Sequence, residues 1–383
     1  MSNLRSIEIL ERLIALQSIS ADSNIPVIDY IEGLLKDSGF TTTRLFSPDS
    51  QKAGLYAQTG PDGAGVLLSG HSDVVPVTGQ KWTSDPFQLT EKDNKLYGRG
   101  SADMKGFIAS ALAMTEKAAR VDLKEPLKIV ISYDEEVGCL GMKAMMSELL
   151  PLVGQPRACI VGEPTEMAVA IGHKGKVAYQ ADCYGQAGHS AFAPDYVNAL
   201  HVATDLVGSL RDWQTEMMQS GGRDEDYDIP YSTVHVGTLA GGTALNIVPD
   251  KAELCFECRY PALDSMEGIQ GRIAAIAENI AASYVLPGRQ KAIVLTQNIA
   301  YPGLDVSPAD PVVGFVQKLT GLNTITKVAF GTEAGFFAGA GIPTVVCGPG
   351  SMEQGHKADE YLAKDQLAAC DQMMDRLLQE LSL

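Results

Sequence analysis

Apolar residues recur along this chain with two periods. From Ser6 to Leu16 they fall at Ile7, Leu10, Leu13 and Ile14, one face of a helix. Pro26 opens a second helical stretch, about Val27–Ser38, and Gly39 stands just past its end. Short strands are predicted over Thr41–Phe46 and Gly54–Gln58. The stretch Leu67–Pro76, LLSGHSDVVP, then reads as a buried strand that delivers His71 to its end. Asp73 follows two residues later, on the same side of an extended chain. Lys95–Gly98 is a short strand. Gly98–Gly106, GRGSADMKG, is a Gly-flanked turn with Asp103 at its centre, and it leads into an apolar helix, Phe107–Ala119. Leu127–Tyr133 is a continuous apolar strand with Asp134, Glu135 and Glu136 clustered at its end. Helix Gly141–Leu149 and buried strand Cys159–Val161 come next, and Glu163 follows at once. Helix and strand alternate, with acids and His at the carboxyl ends of strands. This predicts an α/β fold whose site lies along that edge of the sheet.

The pattern changes after residue 175. Lys176–Tyr184 is an alternating strand, Asn198–Arg211 a helix, and Ser232–Leu239 and Ala252–Tyr260 are strands. Ser265–Ala282 is a helix and Lys291–Gln297 a strand. The order β-α-β-β-α-β is that of a ferredoxin-like unit, and its position in mid-chain predicts an inserted domain. The expected division is 1–175 with 295–383 for the first domain and 176–294 for the insert. After it the α/β pattern resumes with helix Pro311–Leu319, strand Thr344–Cys347 and a last helix near Lys364–Leu381. Gly221–Asp228 is a short acidic surface loop.

Composition narrows the function. The chain has 383 residues, 45% apolar and 20% charged, as a soluble protein with a sizeable core has. A formal net charge of -17 argues against nucleic acid and anionic membrane, which both recruit basic patches. No apolar run approaches a membrane span, and the amphipathic start, MSNLRSIEILERL, lacks the apolar core and small-residue site of a signal peptide. Seven scattered Cys, mostly in apolar surroundings, predict reduced thiols and a cytoplasmic location. Cys255 and Cys258 form a CxxC, but within an alternating strand, where residues three apart face opposite ways.

Five residues share one setting. His71, Asp103, Glu136, Glu163 and His356 each follow an apolar strand or sit in a Gly-rich turn. Nitrogen and carboxylate donors without thiolate suit Zn²⁺, Co²⁺ or Mn²⁺. Five such ligands exceed the needs of one tetrahedral catalytic ion. With a bridging carboxylate they can serve two ions roughly 3.5–4 Å apart. Asp73 stands where a carboxylate would fix the tautomer of a metal-bound His71.

These motifs together (HSDVVP, GRGSADMKG, DEEVG, GEPT, the GHS of Gly188–Ser190, and the late His356) resemble the M20 family of dinuclear zinc aminoacylases and peptidases over nearly the whole chain. The resemblance implies a mixed-sheet, dinuclear zinc-hydrolase catalytic domain of the α/β class with an inserted ferredoxin-like (βαββαβ) lid. It implies that His71 and Glu163 hold one ion, that Glu136 and His356 hold the other, and that Asp103 bridges them beside a cis peptide to Met104. Glu135 becomes the general base; without the family it reads as one acid in an acidic turn. His189 becomes an oxyanion donor, in dimeric relatives supplied by the other subunit; by itself it reads as a turn histidine. Asn246 and Arg259 resemble lid residues that bind a substrate carboxylate, although a structural salt bridge would also explain Arg259. Glu333, an acid in a Gly-rich turn, takes the place of a group that pairs with a substrate amine. The implied activity is removal of an acyl group from the α-amine of a small amino acid, with N-acetylornithine as expected substrate, as arginine biosynthesis requires. N-succinyl-diaminopimelate, other N-acyl amino acids and dipeptides are the alternatives. The implied cofactors are two Zn²⁺ or Co²⁺ ions, and the implied partner is a second copy, through the lid.

Overall fold

Strand Val66–His71 is buried along its whole length. A strand in that position needs a pairing neighbour on each side, because no water reaches its backbone. Leu127–Ser132 lies parallel to it on one side and Ala158–Val161 parallel on the other. Thr344–Val346 extends the parallel set beyond Ala158–Val161. The computed structural model, which describes residues 4–286, 288 and 291–383, builds a nine-stranded mixed sheet around this core. Thr41–Phe46 and Ala53–Thr59 add antiparallel strands at one side. At the other, Val169–His173 pairs with Thr344–Val346, Leu304–Asp305 and Ile325–Val328. Both faces of the sheet carry apolar clusters. Helices Leu4–Ala15, Gly106–Ala118 and Lys364–Ser382 contribute Leu10, Leu112 and Leu377 to one of them. Helix Leu140–Val153 contributes Met142 and Leu149 to the other.

The chain forms two compact units. The first ends at His173 and resumes at Leu304; the second is Lys174–Gly303. Strand Ile293–Tyr301, which straddles the expected return point at 294/295, belongs wholly to the second unit. That unit holds a four-stranded antiparallel sheet in the order Thr233–Gly241, Lys251–Tyr260, Gly175–Tyr184, Ile293–Tyr301. Its order and connections are ferredoxin-like. Val177, Tyr179, Ala181 and Cys183 alternate onto one face and meet Leu206 and Ile273 of helices Ala199–Ser220 and Met266–Ala282. Asn198 and Ser265 cap those helices, each accepting a backbone N–H with its side chain. No described helix is long and apolar enough to cross a membrane.

The strand Val169–His173 and the short pieces Thr90–Lys92, Ile325–Val328 and Tyr361–Ala363 are absent from the pattern-based reading. Val169–His173 is buried on both faces, so it carries no alternation. Helix Ala199–Ser220 runs past the expected stop at Arg211, because Trp213 and Met217 continue its buried face.

One close approach matters for the edge where the acids lie. Gly162, between Val161 and Glu163, leaves room for the ring of Phe107; a Cβ there would fall 2.0 Å from Phe107 Cγ. Gly162→Ala should therefore lower stability by roughly 1–3 kcal/mol, as overpacking does. Chemical denaturation should show an earlier midpoint at unchanged slope. An unchanged midpoint would mean that Phe107 yields without cost.

Candidate metal centre

The parallel strands end along one edge, and the polar residues gather there. His71 closes Val66–His71. Glu135 and Glu136 follow Leu127–Ser132, and Glu163 follows Ala158–Val161. His356 stands in the segment after Thr344–Val346 at φ +61°. Asp103 comes from the single turn Ser101–Lys105, which leads into helix Gly106–Ala118, and its peptide bond to Met104 is cis. The two carboxylate oxygens of Asp103 face two imidazoles: Oδ1 lies 3.2 Å from His71 Nε2 and Oδ2 lies 3.2 Å from His356 Nε2. His71 Nε2 is also 3.5 Å from Glu163 Oε1, and His356 Nε2 is 2.9 Å from Glu136 Oε2. Ligands held about 2.0–2.1 Å from a tetrahedral ion stand roughly 3.3 Å apart. These spacings fit that requirement on both sides of Asp103. Among the described residues, His71 with Asp103 and Glu136, and His71 with Glu135 and Glu163, each bring one donor atom within 4.8 Å of the others.

The surrounding hydrogen bonds hold these donors in place. His71 Nδ1 lies 2.9 Å from the backbone carbonyl of Asp73 and 3.6 Å from its carboxylate, so the main chain of Asp73 sets the imidazole. The Asp73 carboxylate has other work. It accepts the backbone N–H of Glu135 at 3.1 Å and of Glu136 at 3.3 Å, and the Ser20 hydroxyl at 2.7 Å. One residue thus orients the first imidazole with its carbonyl and the acidic turn with its side chain. Cys139 Sγ lies 3.4 Å from Glu135 Oε1. Glu333 is 1% exposed; its Oε2 lies 3.5 Å from Ser69 Oγ, the Ser132 hydroxyl lies nearby, and among the described residues its Oε1 meets no donor in hydrogen-bonding geometry. Three polar residues outside the predicted set also reach the site: Gln80, Arg99 and Glu360. Arg99 and Glu360 are each 1% exposed and ion-paired at 2.7 Å. The available signal for them is that Arg99 lies in the GRGSADMKG turn and Glu360 stands four residues after His356.

Burial and like charge govern the protonation of this edge. Burial, reinforced by Asp103, pushes the Glu136 carboxyl up to about 7. Burial raises Glu135 and Glu163 well above the usual carboxylate range, and neighbouring acids add to it. Glu333 is pushed up to about 7, chiefly by burial. Asp103 moves the other way: burial works against its charge, but hydrogen bonds from His356 and His71 outweigh it. His356 is raised to about 10 by its hydrogen bonds to Asp103 and Glu136. A divalent cation among these groups reverses the sign of the mutual repulsion.

In the second unit the predicted residues fall at two places. His189 and Asn246 are neighbours: strand Gly188–His189 pairs with Ile247–Val248, and Ser190 N–H donates to the Asn246 carbonyl at 3.0 Å. Both side chains are exposed, and His189 Nδ1 accepts the Ala191 N–H at 3.1 Å. Arg259 lies near the other end of strand Lys251–Tyr260, opposite Lys176, with Nε 2.8 Å from Glu257 Oε1.

An α/β unit that gathers His and carboxylate donors, and no thiolate, at the carboxyl ends of parallel strands defines a metal-dependent hydrolase. Residues 67–380 match the model of peptidase family M20/M25/M40, and the chain belongs to that family. It is 37% identical over 367 residues to an acetylornithine deacetylase of Klebsiella pneumoniae, across 93% of this chain and 92% of that one. It is 36% identical over the same shares to an acetylornithine deacetylase of Salmonella paratyphi B. Among solved structures it resembles an M20 metallo-carboxypeptidase of Sulfolobus solfataricus, with TM-score 0.79 and 17% identity over 98% of this chain and 99% of that one. It also resembles a dinuclear metal-binding M20 peptidase of Bacillus subtilis, with TM-score 0.66 and 15% identity over 99% and 98%.

The protonation pattern generates a test of ligation. Cations take carboxylate and neutral imidazole only, so Glu136 near 7 and His356 near 10 must shed protons when an ion binds at neutral pH. Zn²⁺ affinity should therefore climb as pH rises from about 6 to about 10, most steeply below 7 where both groups hold protons, with net proton release at neutrality. Calorimetric titration in two buffers of different ionisation enthalpy measures both. A flat affinity with no proton release would exclude these groups as ligands.

Proposed function

We propose that this chain is a two-metal amidohydrolase that cleaves N-acetyl-L-ornithine to ornithine and acetate. The observation that carries the reading is the Asp103 carboxylate, set 3.2 Å from each of two imidazoles that come from different strands. In this reading His71 and Glu163 would hold one Zn²⁺ or Co²⁺, Glu136 and His356 would hold the other, and Asp103 would be shared between them. When bound, such a pair polarises the amide carbonyl and makes a water acidic enough to attack at neutral pH. Glu135 takes the proton of that water and returns it to the leaving amine. Burial holds its carboxyl above the usual carboxylate range, the direction that favours taking up a proton. Asp73 keeps Glu135 in position through the backbone N–H it accepts. Glu333 reads the second amine of the substrate, because a buried carboxyl with an unpartnered oxygen gains most from an ammonium. Cytoplasmic action agrees with the free state of all seven Cys, of which only Cys255 is exposed.

The direct experiment is a substrate panel of N-acetylornithine, N-acetylmethionine, N-succinyl-diaminopimelate and a dipeptide. N-acetylornithine should be hydrolysed fastest. It should exceed N-acetylnorvaline, which lacks the second amine, by about tenfold to a hundredfold in kcat/KM. Glu333→Gln should erase most of that ratio, and Glu135→Ala should cut kcat by roughly two to four orders of magnitude while two ions remain bound. Equal rates on the two acetyl substrates would favour a general aminoacylase, and near-normal turnover by Glu135→Ala would remove the base assignment.

The lid geometry bears on assembly. Eight residues of extended strand, on the order of 25 Å, separate Arg259 from Lys251, beyond which Asn246 and His189 lie. One lid therefore cannot apply both ends to a single small substrate. A homodimer through the lid would let two chains contribute to one site, with His189 acting in trans. Homodimers of His189→Ala and of Glu135→Ala should both be nearly inactive. After subunit exchange, about half the dimers are mixed and each has one complete site, so roughly a quarter of wild-type activity should return. Exchange verified by mass spectrometry with no recovered activity would exclude action in trans.

A further inference from the structure

The residues around Asp103 and His356 include a buried ion pair that the hydrolytic reading does not use. Glu360 is 1% exposed, yet its carboxylate accepts four donors. Oε1 takes the backbone N–H of Ala102 at 3.0 Å and of Asp103 at 3.2 Å. Oε2 takes the Gly100 N–H at 3.1 Å and Arg99 Nη1 at 2.7 Å. Arg99 passes the connection on. Its Nη2 donates to Gln80 Oε1 at 2.6 Å, and Gln80 Nε2 donates to the backbone carbonyl of His356 at 2.8 Å. Trp82 closes the arrangement: its Nε1 donates to Gln80 Oε1 at 3.1 Å, and its ring lies 5.1 Å from the Arg99 guanidinium. The backbone of Asp103 and the backbone of His356, distant in sequence, are thus both referenced to one salt bridge.

We infer that Glu360 is a positioning residue, which acts with Arg99 and Gln80 to set the spacing between Asp103 and His356 and thereby the affinity of the second cation position. The physical case rests on what a buried ion pair does well. Its contribution to net stability is small, because desolvation offsets attraction, but the Glu360 carboxylate, with four donors on its two oxygens, fixes the backbone it accepts from. Carboxylates of this kind behind metal ligands typically change metal affinity by about ten- to a hundredfold when altered. Glu360 differs from Asp73 in what it holds. Asp73 supports His71 and the acidic turn, whereas Glu360 supports Asp103 directly and His356 through two intermediaries.

This inference rests on the two-metal reading, so the experiment separates them. Metal-free wild-type protein, Glu360→Gln and Gln80→Ala are titrated with Co²⁺, followed by the visible absorption of the ion and by calorimetry. Wild type should take two ions. A Gln at 360 cannot accept from all four donors, so Glu360→Gln should bind the second ion roughly ten- to a hundredfold more weakly, with a shifted absorption band, and the first ion, which shares only Asp103 with it, by clearly less. Gln80→Ala leaves the ion pair intact. It removes the acceptor of Arg99 Nη2 and Trp82 Nε1, so its metal-free melting temperature should fall less than that of Glu360→Gln, and the second ion should still weaken severalfold. Wild-type affinities and spectra in both variants would overturn the inference, as would equal weakening of both ions. If Glu360→Gln fails to fold, Gln80→Ala alone decides in the same terms. A wild-type chain that takes fewer than two ions overturns the two-metal reading, and this inference with it.

Discussion

Like charges at close range are the constraint around which this structure is arranged. Asp73, Asp103, Glu135, Glu136, Glu163 and Glu333 sit at one edge of the sheet with two imidazoles among them. Water screens the inner acids little, since Asp73, Asp103, Glu163 and Glu333 are all 4% exposed or less. Groups so placed either take up protons or share positive charge. The fold assigns its donors accordingly. Asp103 lies between both imidazoles and keeps its charge, while Glu136 and Glu163 each have only one imidazole at hand and are pushed upward. Divalent cations among these groups would offset most of this charge.

The scaffold solves the problem of presenting such groups by using strand ends. A parallel sheet points its carboxyl ends one way, so residues just past several strands converge without any long loop. The acidic turn still has to be aimed, and the Asp73 carboxylate does this by accepting two successive backbone N–H groups. Adjacent side chains there diverge, which is why Glu135 and Glu136 can take different tasks. Helix Gly106–Ala118 and the ring of Phe107 press against the same edge from below, and Gly162 marks how little space is left.

Much of this is legible in the sequence. His71, Asp103, Glu136, Glu163 and His356 stand out because each follows an apolar strand or breaks a Gly-rich turn, and the structure brings them together. The CxxC is legible as well: Cys255 is exposed and Cys258 buried, as alternation on a strand requires. The double task of Asp73 is only half legible, since an i+2 spacing suggests contact with His71 but says nothing of the Glu135 and Glu136 amides. Glu360 is illegible by local pattern. It looks like a surface acid in KADEYL, and its partner Arg99 lies 261 residues away. Strand Val169–His173 escapes for a different reason, because burial on both faces removes the alternation that would announce it.

The position of strand Thr344–Val346 has a consequence for synthesis on the ribosome. It lies between Ala158–Val161 and Val169–His173, and it emerges only after the whole of Lys174–Gly303 has been made. At about 5–20 residues per second the stretch from His173 to Thr344 takes roughly 10–35 s to make. Throughout it, two apolar strands in the middle of the future sheet face each other across a vacant place, with unpaired backbone edges of the kind that recruit foreign strands. The insert, with its own core, can fold during the same interval and tether the two strands' surroundings while they wait. The backbone edges of these two strands are therefore the last in the middle of this sheet to be paired as the chain is made.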